Sequence, residues 1–104
     1  MATIHDPSCH QESDGITCSV HLKDGRTVEL TQIRFTDNST EHVDSFSVVF
    51  EGPADPVLEQ GTYQVDHPKA ETGPVFLVPL HGHTGRPRYE LVVSVLNDAV
   101  TQDI

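Results

Sequence analysis

The chain contains no tryptophan, one methionine, two cysteines and four alanines, and 6 Lys+Arg stand against 16 Asp+Glu, a formal net charge of −10 at pH 7. Each scarcity removes a class of protein. So little alanine leaves poor material for helices. The few bases are scattered, with Arg86 and Arg88 the one close pair, and residues 35 to 68 hold seven acids and no Lys or Arg. Without a basic stripe there is no counterion release to drive binding to a phosphate backbone, so no nucleic-acid partner is expected. No window approaches the ~18 apolar residues of a membrane span, so no membrane partner is expected. Met1 to Pro7 lacks the basic and apolar regions of an export signal. A cytoplasmic location is expected, and in that reducing compartment Cys9 and Cys18 are read as free thiols. Asn38-Ser39-Thr40 matches a glycosylation acceptor and, without export, reads as a polar turn.

What is present suits strands. Val, Ile and Thr together number 27, and seven Gly and seven Pro supply turns. Leu, Ile, Val and Phe number 28 of 104, enough for a core in one small domain. Ile16, Cys18, Val20 and Leu22 alternate with polar residues, a two-residue period that predicts a strand over 16–22. Asp24-Gly25 predicts a hairpin turn, and the chain returns as 27–36. On that return Val28 and Leu30 hold one parity while Ile33 and Phe35 hold the other, so a bulge or sharp bend is expected near Thr31-Gln32.

Phe46, Val48 and Phe50 place a third strand at about 43–51. After a proline-broken loop a fourth runs over 62–67, with Tyr63 and Val65 facing inward. Residues 67–74 read as a loop, and Val75 to Leu80, apolar at nearly every position, as a strand covered on both faces. A last hairpin at 82–85 leads into a sixth strand carrying Tyr89, Leu91, Val93 and Val95. The expected fold is all-β: about six antiparallel strands in a small meander barrel or a two-sheet sandwich, spanning 16–96, with weakly ordered arms at 1–15 and 97–104.

Seven histidines are the most unusual feature of the composition. His81-Gly82-His83 resembles the His-x-His pair of cupin-like metal barrels, yet it straddles a glycine turn instead of lying along a strand, and the next acid is Glu90. Cys9, His10, Cys18 and His21 supply zinc-binding residue types, but the odd spacing of Cys18 and His21 puts them on opposite faces of a strand. Cys18 shares parity with Ile16 and Val20 and is expected to be buried. There is no Gly-x-Ser-x-Gly and no phosphate-binding glycine loop. The expectation is therefore no enzyme, no metal and no cofactor.

The run Phe46-Ser47-Val48-Val49-Phe50-Glu51-Gly52-Pro53, followed by Leu58-Glu59-Gln60-Gly61-Thr62-Tyr63, His67-Pro68, Phe76-Leu77-Val78-Pro79 and Tyr89-Glu90, resembles a family of uncharacterised bacterial domains of about this length, a domain of unknown function. The match covers the C-terminal two-thirds of the chain and leaves residues 1–15 outside. It implies a structural or interaction role, in phage-tail-like or other bacterial assemblies, and carries over no catalytic residue.

The function expected is a non-enzymatic interaction or assembly module that meets a protein partner, or itself, through the 52–61 loop or a strand edge. The alternative is a small-molecule or metal-binding barrel using His67, His81 and His83. The candidate binding residues are Gln60, Tyr63, His67, His81 and His83. Were all seven histidines to charge, the net charge would fall to −3 before any carboxylate is neutralised, so self-association is expected to rise toward the sequence pI of about 4.8.

Overall fold

The structure, a computed structural model, describes residues 10–11, 13–55, 57–80 and 85–96. They form six strands: β1 (Thr17–His21), β2 (Thr27–Asp37), β3 (Val43–Glu51), β4 (Gly61–His67), β5 (Ala70–Leu80) and β6 (Arg88–Leu96). Every strand pairing is antiparallel, and the sheet closes as a barrel in the order β1-β2-β3-β6-β5-β4. Of the two architectures the sequence allowed, the barrel is the one formed. It consists of two three-stranded meanders, β1-β2-β3 and β4-β5-β6, joined where β3 meets β6 and β1 meets β4. Among the described residues no helix is long and apolar enough to cross a membrane.

The period-two pattern sets the core. Cys18 and Val20 from β1, Val28 and Leu30 from β2, Phe46, Val48 and Phe50 from β3, Val65 from β4, Val75 and Leu77 from β5, and Tyr89 and Leu91 from β6 are buried in one cluster, with Leu22, Phe35, Tyr63 and Val93 packed at its margin. Gly25, at φ +92°, turns β1 into β2, helped by Asp24, whose carboxylate accepts from the Arg26 N–H at 3.0 Å. The bulge lies between Gln32 and Arg34, one step beyond its expected place, and it lets Leu30 and Phe35 both face the core.

Two expectations about β5 are corrected. The loop assigned to 67–74 is a tight turn at Pro68-Lys69, and β5 begins at Ala70. Glu71-Thr72-Gly73-Pro74 carries no apolar alternation because only Ala70, Val75 and Leu77 on this strand are buried. Nor is the strand covered on both faces, since Phe76 is 48% exposed. Its prolines fall where a strand neighbour is missing. Pro74 pairs with Gln64 of β4 in a stretch with no β6 partner, and Pro79 lies past the last β4 pair, Gly61 with Leu77.

The domain also starts earlier than residue 16. Gly15 N–H donates to the Gln32 carbonyl at 2.7 Å and Gln32 N–H to the Ile16 carbonyl at 2.9 Å, so the β1-β2 ladder continues past the end of β1. A turn closed from Ser13 N–H to the His10 carbonyl then carries His10 into the barrel, where both residues are fully buried. Residues 1–9, 12 and 97–104, the rest of the expected arms, lie outside the described residues.

Candidate functional site

Two polar assemblies stand out, one inside the barrel end and one on its surface. The inner one is built around Gln32, the residue just before the bulge. Its inward parity places an amide in the apolar interior, where a buried amide requires partners. It finds three. Nε2 donates to the His10 carbonyl at 2.8 Å and to Asp14 Oδ1 at 3.1 Å, and Oε1 lies 3.3 Å from His10 Nδ1. Since Nε2 is the donor, Oε1 accepts, and His10 carries a proton on Nδ1.

The His10 ring packs against Phe46 at 5.7 Å, Phe50 at 6.4 Å and His67 at 5.1 Å. His67 Nδ1 accepts the Lys69 N–H at 3.0 Å, which puts the proton of the neutral ring on Nε2. That Nε2 is buried without a hydrogen-bond partner, and burial, with the nearby His10 and Lys69, pulls the His67 pKa down to about 4. Lys69 Nζ donates to Ser13 Oγ at 2.9 Å, and that hydroxyl donates to the Gln11 carbonyl at 3.2 Å. A Ser-Lys contact can activate a nucleophile, but Ser13 has no exposed surface for a substrate to reach. The cluster ties the entering chain to the barrel.

The outer assembly is a groove of about 570 Å³ between the β1-β2 turn and the start of β4, lined by His21, Lys23, Gln60, Tyr63 and Gln64 among others. Tyr63 is fixed by donating its hydroxyl to the Glu59 carbonyl at 2.6 Å, and partial burial, followed by the Glu59 charge, raises its pKa. His21 Nε2 lies 2.6 Å from Asp66 Oδ2, and Thr72 Oγ1 donates to the other carboxylate oxygen. The Thr72 bond, and then that from His21, lowers the Asp66 pKa. Both partners of the His21-Asp66 contact are nearly half exposed, which suits a surface cross-strand pair between β1 and β4.

Of the sequence-predicted binding residues, Gln60 and Tyr63 meet in this groove. His67 does not join them: it sits four residues along β4 from Tyr63, buried beside His10. His81 and His83 lie outside the described residues. Cys18 is 2% exposed, and burial pushes its thiol pKa up to about 12, so it is neither nucleophile nor ready ligand. Among the described residues no three His, Cys, Asp or Glu converge as metal ligands. Sequence reasoning missed Gln32 although a signal existed, a polar residue at an inward position between Leu30 and Phe35. His10 carried no comparable signal, because no periodic run surrounds it.

No curated protein and no solved structure matches the chain. A family model does match, over residues 11–93, which runs from the entry segment through the first five strands and into β6. The chain belongs to the family described as Domain of unknown function (DUF6916).

Proposed function

We propose that the protein is a non-enzymatic interaction or assembly module of the kind found in phage-tail-like or other bacterial assemblies, and that it meets its partner through an open strand edge. The observation that carries this reading is the parting of β5 and β6. The two strands pair only at Val78-Glu90, Pro79-Tyr89 and Leu80-Arg88, after which β5 continues on β4 and β6 on β3. Open edges are templates for a further strand. Phe76 and Val92, 48% and 55% exposed, are the outward residues that flank the opening, and Val57 at 59% projects from the 52–61 loop. Leu58 in that loop is anchored, its N–H donating to Tyr89 Oη at 2.8 Å, so the loop presents Val57 from a fixed base.

The test is a photo-crosslinking residue placed in turn at Phe76, Val57 and Arg26, in cells of the native host. Protein adducts at Phe76 or Val57, with none at Arg26, support the reading. Equal labelling at the three positions, or none, overturns it.

A further inference from the structure

The two edges left by the parting are not alike. The β5 edge is guarded by Glu71 and by Pro74, which has no N–H to offer. From Leu91 to Leu96 the β6 edge reads Leu-Val-Val-Ser-Val-Leu, with no charge, proline or glycine, and it has no strand partner among the described residues on the side away from β3. Natural edge strands are usually blunted by charge or proline. This one is left bare in a chain of net charge −10.

We infer that the occupant of this edge is the same edge of a second copy, paired antiparallel about a twofold axis perpendicular to the sheet. This deepens the interaction reading and rests on it. Two features of the strip favour a copy over a foreign strand. First, such an axis keeps the same face outward in both copies, so pairing residues have an even sum. Centred on Val93 it sets Val93 against Val93 and Val92 against Ser94, and no like charges meet, the usual penalty when a segment pairs with itself. Second, the outward neighbours on β3 are Ser45, opposite Ser94, and Ser47, opposite Val92, so the uncharged strip is two strands wide. Elsewhere the surfaces of two copies repel, and an uncharged strip is where they approach at least cost. The product is one sheet running β2-β3-β6 into β6-β3-β2 of the copy.

The experiment measures mass by sedimentation against protein concentration, for the unaltered chain, for Val92→Glu with Ser94→Glu, and for Thr27→Glu with Gln64→Glu, which adds the same charge on other strands. The unaltered chain and the Thr27/Gln64 variant should move from 11.4 kDa to twice that mass as concentration rises. Added salt should tighten the dimer by screening repulsion. The Val92/Ser94 variant should dissociate at least ~10-fold more readily, since each new acid faces another across the axis. Ser94→Glu alone, which sets an acid opposite the copy's Val92 and the two acids only diagonal to each other, should weaken the dimer by a smaller factor and serves, with its melt, if the double variant fails to fold. Backbone amides of 91–96 should exchange more slowly as the dimer fills. A chain monomeric up to about 1 mM overturns the inference, and so does a Val92/Ser94 variant that dimerises as tightly as the unaltered chain. If the mass stays monomeric while crosslinks at Phe76 still capture a different protein, the homotypic pairing fails and the interaction reading survives. Loss of both removes both.

Discussion

The rings of His10 and His67 meet edge to face, centroids 5.1 Å apart and planes at 80°, so that two imidazoles from segments far apart in sequence share the interior of one barrel end. Protons have no comfortable place there. His67 Nδ1 is engaged by the Lys69 N–H, and a charged ring would have to give up that bond within reach of the Lys69 ammonium, beside His10 and the Phe46 and Phe50 rings that His10 packs on.

The pH dependence follows from the sign of that shift. The folded-state pKa of about 4 lies below the ordinary 6.5, so the unfolded chain takes up the proton first. The stability that depends on a neutral His67 is complete above pH 6.5 and is lost progressively as pH falls toward 4. Urea midpoints measured from pH 7.5 to 4.5 should decline, and His67→Phe should flatten that decline. An equal slope in the variant would assign the acid sensitivity to other groups.

Gln32→Leu keeps the size of the side chain but removes two bonds, that from Gln32 Nε2 to the His10 carbonyl, which keeps the Ser13 N–H, and that between the His10 ring and Gln32 Oε1. Loss of such bonds costs about 1–3 kcal/mol. The expected effect is local: amides of residues 10–16 exchange faster and proteolysis begins there, while β3 and β6 stay protected. A uniform rise in exchange across all strands would show that the entry segment and barrel open as one unit.

Gly52 sits where a methyl group would meet Leu30 Cδ2 at 2.7 Å and Tyr89 Cε2 at 3.3 Å. Leu30 is 1% exposed and cannot swing aside, so Gly52→Ala should destabilise by about 1–3 kcal/mol. In a Leu30→Val background, which removes the obstructing carbon, the same change should cost less. A double-mutant cycle with no coupling between the two positions would contradict this packing.

Phe50, at 2% exposure, belongs to the same core cluster as Phe46 and Val48, and Phe50→Ala should cost about 3–5 kcal/mol. In so small a domain that loss could remove the cooperative melt. A thermal transition unchanged from that of the unaltered chain would be incompatible with its place in the core.

Acid self-association remains expected, with a smaller charge swing than seven titrating histidines would give. The His67 pKa, drawn down to about 4, takes one positive charge out of that swing. Light scattering should still rise between pH 7 and pH 5.2, and it should do so in Val92→Glu/Ser94→Glu as well, because loss of charge repulsion needs no particular edge.

Alternation along the chain made the strands and their inward faces legible, from Cys18 and Val20 to Leu91, and the parity change in β2 announced the bulge. Alternation says which face is buried and not which strand is the neighbour, so the β3-β6 and β1-β4 pairings were not readable. The first half of β5 was hidden by its own Pro74 and Glu71, tolerated there because that edge has no neighbour to satisfy. In the candidate site, Gln60 and Tyr63 were found by their place beside a loop. The Gln32-His10 latch was not, because it depends on a turn at 10–13 with no pattern of its own.

The bulge at Gln32-Arg34 sets a frame for the chain as text is framed by its spacing. Upstream, even-numbered residues of β2 read into the core; downstream, odd-numbered ones do, beginning with Phe35. Deleting Ile33 would merge the two frames into one regular strand, keeping Phe35 inward but taking away the bend and extra twist that the bulge gives β2. The same single-residue deletion in the 38–42 turn would shorten a connection between strands already in phase. Length variation in this domain should therefore collect in that turn and stop at the bulge.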